Sequence, residues 1–372
     1  MSQADAQRLD ALDKNFAVPV SVNEKGIEFY DVRKPPFRIY GLYNAESDPE
    51  FKRLPDDVAA SVSDGVRQLS RQTAGGRVRF STDSPYVVIK AVMPFVSKSV
   101  NLSLPGASGL DLYIDSPDGK QSLFHRLFVP PYGMTDGYES QLPFYEAGLH
   151  YLTINLPSYN PLTALYVGIK QGSHLGTGAP YRDVAPIVYY GSSITQGGCA
   201  SRPGNAYTNM VSRALQMDFL NFGFSGNAKG ESEIAEYMAG LRMSAFVSDY
   251  DHNATTDVLR DTHLRLYKTI RASHPSIPYV MLSRPDPFRM TAAFGDNEQS
   301  VTRRHIILDT YHYAREHGDR NVWFIDGESL FRGPFEDSCT VDGTHPNDLG
   351  FSKMAEAVTA VLKRALQDYI HK

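Results

Sequence analysis

Pro186-Ile-Val-Tyr-Tyr-Gly-Ser-Ser-Ile-Thr-Gln-Gly-Gly198 is an apolar run of strand length that breaks into a glycine-rich turn. Helical spacing follows, with Ala206, Met210, Val211, Ala214 and Leu215 on one face. The same order recurs downstream. Asp218–Phe224, Ala245–Tyr250, Tyr279–Ser283 and Asn321–Ile325 read as further strands, with helical segments between and after them. In the last of these, Met354, Ala357, Val358, Val361 and Leu362 fall at i, i+3, i+4, i+7 and i+8. Repeated strand–helix alternation predicts an α/β domain with a five-stranded parallel sheet covered by helices on both faces. In such sheets the working residues gather at the carboxyl ends of the strands.

Toward the amino terminus the period changes. Arg77–Ser81, Tyr86–Val92, Leu110–Ile114, Tyr151–Asn155 and Ala164–Ile169 are short, β-branched or aromatic runs cut by turn signals such as Pro117-Asp-Gly119. Almost no helical period interrupts them, so a β-sandwich or jelly roll is expected. Gln171-Gly-Ser-His-Leu-Gly-Thr-Gly178 reads as a linker, which divides the chain into a β-domain over 1–176 and an α/β domain over 177–372.

Composition narrows the function. Of 372 residues, 42% are hydrophobic and 21% charged, with 37 basic against 42 acidic side chains and a net charge of −5. No basic block offers the positive field that nucleic acid or an anionic membrane requires. Met1 to Asn15 is polar, without the apolar run of a signal peptide, and no stretch approaches membrane-span length. Two cysteines, Cys199 and Cys339, make no disulfide framework, and a cytoplasmic location is expected. Cys199 lies six residues after Ser193 and Cys339 six before His345, a spacing that allows the thiols to be neighbours if those two residues meet.

The strand ends carry the candidate chemistry. They are Gly191–Gly198, Asn221-Phe-Gly-Phe-Ser-Gly226, Asp249-Tyr-Asp-His-Asn253 and, after the fifth strand, Val341-Asp-Gly-Thr-His-Pro-Asn347. The first lacks the lysine of a P-loop and the G-x-G-x-x-G of a dinucleotide turn, which disfavours phosphate. A serine attacks an ester only when a base takes its proton, and a carboxylate must fix that base's tautomer. Ser193, His345 and Asp342 supply the three roles. The Ser193 N–H, the Gly226 N–H and the Asn253 amide would hold the oxyanion. Asp249, Asp251 and His252 could also be read as metal ligands, but no further Cys or His stands at ligand spacing, and a supporting role for the Asn253 loop is preferred. Arg284, after the fourth strand, either orients substrate or pairs with a carboxylate. Tyr132 and Tyr138, in an aromatic segment running from Pro130 to Tyr145, either face a sugar or pack a domain interface.

These blocks resemble, in order and strand placement, those of the SGNH/GDSL hydrolase superfamily over about residues 186–365. Gly191-Ser-Ser-Ile-Thr195 is similar to the first block, Gly226 to the glycine of the second, Asn253 to the asparagine of the third and Asp342-Gly-Thr-His345 to the closing D-x-x-H. Ser192 stands where the family often has Asp, and Asp251-His-Asn-Ala254 departs from the usual G-x-N-D. Gly109-Leu-Asp-Leu-Tyr113 resembles the GxDLY signature of a β-domain found ahead of some of these hydrolases, and Asp111 and Tyr113 are expected to hold that domain together. The resemblance implies a flavodoxin-like three-layer domain and a cofactor-free esterase, with acetyl esters of carbohydrates as the leading substrate. It leaves open an O-acyltransferase with the same residues, a carbohydrate-binding protein with a vestigial hydrolase half, and self-association into a homo-oligomer.

Overall fold

The computed structural model describes residues 13–14, 22, 24–97, 99–285 and 297–367. Five strands, β11 (Ile187–Gly191), β12 (Phe219–Gly223), β13 (Ala245–Asp249), β14 (Tyr279–Leu282) and β15 (Val322–Ile325), pair in parallel in the order β12-β11-β13-β14-β15. This is the flavodoxin-like winding. Strand periodicity builds its two cores. On one face Val188, Tyr190, Phe246, Tyr279 and Met281 pack with the helices Ser232–Ala239 and Thr256–Ser273. On the other, Ile187, Tyr189, Val247, Val280 and Leu282 meet the helices Tyr207–Leu215 and Asp348–Ala365. Among the described residues no helix is long and apolar enough to cross a membrane.

The preceding half is antiparallel. One sheet runs β1 (Ile27–Asp31), β9 (Ala164–Lys170), β4 (Tyr86–Val92), β7 (Gly137–Pro143). The other runs β10 (Leu175–Thr177), β3 (Arg77–Thr82), β8 (His150–Asn155), β5 (Leu110–Asp115), β6 (Ser122–Phe128), with β2 (Arg38–Tyr40) also on β3. Their facing residues, among them Val78, Phe80, Ile89, Leu112, Ile154 and Val167, share one apolar core, which makes a sandwich.

Three sequence expectations change. The segment read as a linker carries β10, which pairs with β3, so the chain stays in the second sheet up to Thr177. Helices do occur in the first half, at Asp56–Val62 and Asp64–Leu69. Their Ala59 and Val66, with Leu54, are buried in the core of the α/β half rather than of the sandwich.

The third change concerns the GxDLY residues. Alternation sends Val78 and Phe80 of β3 into the sandwich, and Arg77 and Arg79 toward the α/β half, where both are about 1% exposed. Arg77 pairs with Asp218. On β5 the Asp111 carboxylate accepts from Arg202 Nη1 at 2.8 Å, from the Gly204 N–H at 2.8 Å and from Asn155 Nδ2 at 2.7 Å. Tyr113 OH accepts from the same guanidinium at 2.5 Å. Asp111 therefore ties β5 to β8 within the sandwich, as expected, and Asp111 and Tyr113 together also clamp the loop around Arg202 and Gly204 onto it, joining the two halves. Asp111→Ala is expected to cost about 3–5 kcal/mol of stability, because it leaves the buried Gly204 N–H and Asn155 Nδ2 without their acceptor and takes the carboxylate from the Arg202 guanidinium. Denaturant unfolding checks this, and a cost below about 1 kcal/mol would deny the clamp.

Candidate active site

The turn after β11 is tight. A Cβ on Gly191 would lie 2.4 Å from the Asp249 carbonyl and 2.1 Å from Thr195 Oγ1, so only glycine lets the chain pass there. Ser192 caps the helix Ser193–Gln196 by accepting from the Ile194 N–H at 3.1 Å. Ser193 is then the first helical residue, at the carboxyl end of β11, where its N–H has no partner within the helix.

The closing block brings its partners to the same place. Ser193 Oγ is 2.9 Å from His345 Nε2, and His345 Nδ1 is 2.8 Å from Asp342 Oδ2. A carboxylate can only accept, so Nδ1 carries the ring proton and Nε2 is left to accept from the serine hydroxyl. Asp342 Oδ1 accepts from the N–H groups of Thr344 at 3.0 Å and His345 at 2.8 Å. Oδ2 also accepts from Asn101 Nδ2 at 2.9 Å. Burial raises the Asp342 carboxyl, but the bonds from His345, Asn101 and Thr344 outweigh it and hold it well below the usual carboxylate range. It is ionised at neutral pH, as the partner of an imidazolium must be.

Gly226 and Asn253 are brought together as well. Asn253 Oδ1 accepts from the Gly226 N–H at 3.2 Å, and Nδ2 donates to the Phe224 carbonyl at 2.9 Å, leaving one amide proton. Asn253 thus clips the second block's loop to the third's. Behind it, Asp249 Oδ2 accepts from Thr195 Oγ1 at 3.1 Å, and Asp251 Oδ2 accepts from the Arg284 N–H at 2.8 Å. Burial and the neighbouring Asp251 push the Asp249 carboxyl well up, and burial pushes Asp251 up to about 6. Burial, followed by Arg284 and His345, keeps the His252 ring neutral. Asp249 thus ties the end of β13 to the Ser193 helix, and Asp251 ties it to the segment after β14. Among the described residues, the group whose His, Cys and carboxylate atoms lie within 4.8 Å of one another is Cys199, Asp342 and His345.

A cleft of about 520 Å³ opens over His345. Most of its lining belongs to the first half, including Gln68, Gln72, Phe95, Ser97, Ser99 and Tyr159. Tyr159 OH donates to the Ser193 carbonyl at 3.1 Å, and Gln196 Nε2 donates to Gln72 Oε1 at 2.5 Å, so the first half also braces the Ser193 turn. No motif in the sequence marks these residues. The aromatic candidates lie elsewhere. Tyr138 alternates inward from β7 and donates to the Phe128 carbonyl at 2.8 Å inside the sandwich core, which rules out contact with substrate. Tyr132 is 93% exposed and is absent from the cleft wall, as is Arg284. Both cysteines are free, Cys199 donating to the Asn101 carbonyl and Cys339 to that of Phe335.

Residues 184–363 match the GDSL-like lipase/acylhydrolase family, and residues 27–175 match the N-terminus of SGNH-hydrolase-type esterases. A protein described as a GDSL-like lipase from Bacteroides ovatus is 30% identical, with 92% of this chain and 98% of that one covered and a TM-score of 0.80. The salicylyl-acyltransferase SsfX3 of a tetracycline biosynthetic pathway is 19% identical over 92% and 98%, with a TM-score of 0.74. A family two carbohydrate esterase from Cellvibrio japonicus is 12% identical over the same shares, with a TM-score of 0.59. These last two likenesses speak to the fold alone. A search of curated proteins finds no match. With both halves matched and a 30%-identical relative aligned nearly end to end, the chain belongs to the SGNH/GDSL hydrolases that carry an N-terminal GxDLY-type domain, and it is a carboxylic ester hydrolase.

Proposed function

We propose that this chain hydrolyses short-chain esters, acetyl above all, of a neutral polyhydroxyl alcohol of the carbohydrate class, through an acyl group carried on Ser193. The Ser193–His345–Asp342 relay beneath the cleft supports the reaction. Ser193 Oγ attacks the ester carbonyl as its proton passes to His345 Nε2, and the imidazolium returns that proton to the leaving alcohol. Water then repeats both steps on the acyl-serine. The Ser193 N–H and the remaining Asn253 amide proton would hold the oxyanion, with the Gly226 N–H joining if it exchanges Asn253 Oδ1 for the substrate oxygen.

The single observation that carries the substrate class is the cleft's chemistry. Among its described lining residues no Asp, Glu, Lys or Arg occurs, while Gln68, Gln72, Ser97, Ser99 and Asn227 offer neutral donors and acceptors around Phe95, which is 55% exposed. Such a wall suits hydroxyl groups and the apolar face of a sugar ring, and gives a charged alcohol no counterion. The carbohydrate esterase from Cellvibrio japonicus shares this two-part fold.

A panel of p-nitrophenyl esters of rising chain length, with acetylated sugars, tests the reading. Acetate should be the fastest acyl group, and neutral acetylated sugars should outpace acidic ones. A preference for long acyl chains would refute the short-chain assignment. Transfer of the acyl group to an added sugar in place of water would make the enzyme a transferase. Asn253→Ala is expected to lower kcat by about 10²–10³, as loss of one oxyanion donor does. A change confined to KM would make Asn253 a substrate-binding residue instead.

A further inference from the structure

We infer that Asn101, from the first half of the chain, is a positioning residue for the ester-hydrolysing relay, so that the β-half completes the catalytic unit as well as walling its cleft. The inference rests on the reading of Ser193, His345 and Asp342 as that relay. Asp342 accepts from four donors. Three come from its own block, the backbone N–H groups of Thr344 and His345 and the His345 ring, and the fourth is Asn101 Nδ2 at 2.9 Å, from 241 residues away. The two donors on Oδ2, from His345 Nδ1 and Asn101 Nδ2, fix how that oxygen faces the imidazole.

The Asn101 amide is itself oriented. Ser99 Oγ donates to Asn101 Oδ1 at 2.6 Å, and a hydroxyl that donates there leaves Nδ2 to face the carboxylate. The Asn101 carbonyl accepts from Cys199 Sγ at 3.3 Å, and Cys199 sits in the turn that follows Ser193 and holds a left-handed φ of 69°. The arm is fastened on both sides. Upstream, the Ser97 N–H donates to Asn160 Oδ1 at 2.7 Å, and Asn160 Nδ2 donates to the Phe95 carbonyl at 2.7 Å. Downstream, Ser103 caps the helix Leu104–Ser108. A Cβ on Gly106 of that helix would lie 2.1 Å from the Ala200 carbonyl, so the arm touches the Ser193 turn backbone to backbone. An oriented donor on an anchored arm is the arrangement that preorganises a catalytic carboxylate.

The chemistry gives a signature that packing alone would not. The Asn101 N–H withdraws charge from Oδ2 and so weakens the pairing of Asp342 with protonated His345. Removing it should lower kcat, through looser orientation, and should also stabilise the imidazolium. The acid limb of the pH–rate profile then moves to higher pH, because a stabilised imidazolium keeps His345 protonated, and unable to take the Ser193 proton, up to a higher pH.

The test uses the full chain and p-nitrophenyl acetate, a substrate too small to need the cleft wall. Asn101→Ala is expected to lower kcat about tenfold with KM within twofold, and to move the acid limb upward. Asn101→Asp has the same shape but sets a second carboxylate against Asp342, and should fall below the alanine variant at pH 8. Ser99→Ala, which only frees the amide to turn, should show a smaller loss in the same direction. Thermal unfolding confirms that each variant is folded. Unchanged kcat and an unmoved acid limb in Asn101→Ala would overturn the inference, as would an Asp variant more active than the Ala one. A wild-type chain no more active than its Ser193→Ala variant would instead sink the relay reading itself, before Asn101 is at issue.

Discussion

Ser193→Ala is expected to leave a folded protein whose ester hydrolysis has fallen by about 10⁴–10⁶ in kcat, the loss typical of removing a triad nucleophile. The residue sits at a helix start where alanine is acceptable, and its Oγ is bonded only to His345 Nε2 among the described contacts. Removing the hydroxyl takes away the atom that forms the acyl bond while leaving the Asp342–His345 pair, the cleft and all three cores in place. The Ser193 carbonyl, which accepts from Tyr159 OH, is untouched. Turnover of p-nitrophenyl acetate, with circular dichroism and the unfolding midpoint as controls, checks this. Retention of even a tenth of wild-type activity in a folded variant would remove Ser193 from the chemistry.

Asp342→Asn should cut kcat by roughly 10⁴ while KM changes little. The asparagine carbonyl can still accept from the Thr344 and His345 N–H groups, which keeps the turn. Its NH₂ then points toward His345 Nδ1 and Asn101 Nδ2, both donors in the wild type. The conflict is relieved when His345 shifts its proton to Nε2, and an Nε2–H cannot accept from Ser193. The side chain is 32% exposed, so the fold should tolerate the change. A loss of less than about tenfold would mean that the His345 tautomer is fixed by something other than Asp342.

The α/β half was legible because each parallel strand is an apolar run followed by a turn signal, and all five fall within one or two residues of their expected bounds. The first half hid more. Asp56–Val62 and Asp64–Leu69 are seven and six residues long, too short to show a helical period, and the partners of Ala59 and Val66 lie over 120 residues downstream. The alternation Arg77-Val-Arg-Phe80 looks like a strand with one wet face, yet the second half covers that face, where Arg77 pairs with Asp218 while Arg79 pairs with Asp115 of the sandwich itself. The aromatic-rich stretch leaves Tyr138 open between facing a sugar and packing an interface, and β7, paired with β4, turns it inward into the sandwich core. At the site, Ser193, Asp342 and His345 stood out because a strand-end serine and a D-x-x-H obey known chemical spacing. Asn101, Gln72 and Tyr159 did not, since each reaches the site only through the docking of one half on the other.

The most direct measurement is the mass of the acyl-enzyme. The full chain is mixed with p-nitrophenyl acetate, quenched in acid within the first turnovers, digested and sequenced by tandem mass spectrometry. A single acetyl group on Ser193, absent from Ser193→Ala and accumulating in step with a burst of p-nitrophenol, is the expected result. Turnover with no covalent acyl group, or an acyl group found on Ser192, Cys199 or another side chain, would contradict the assignment of Ser193 as the nucleophile.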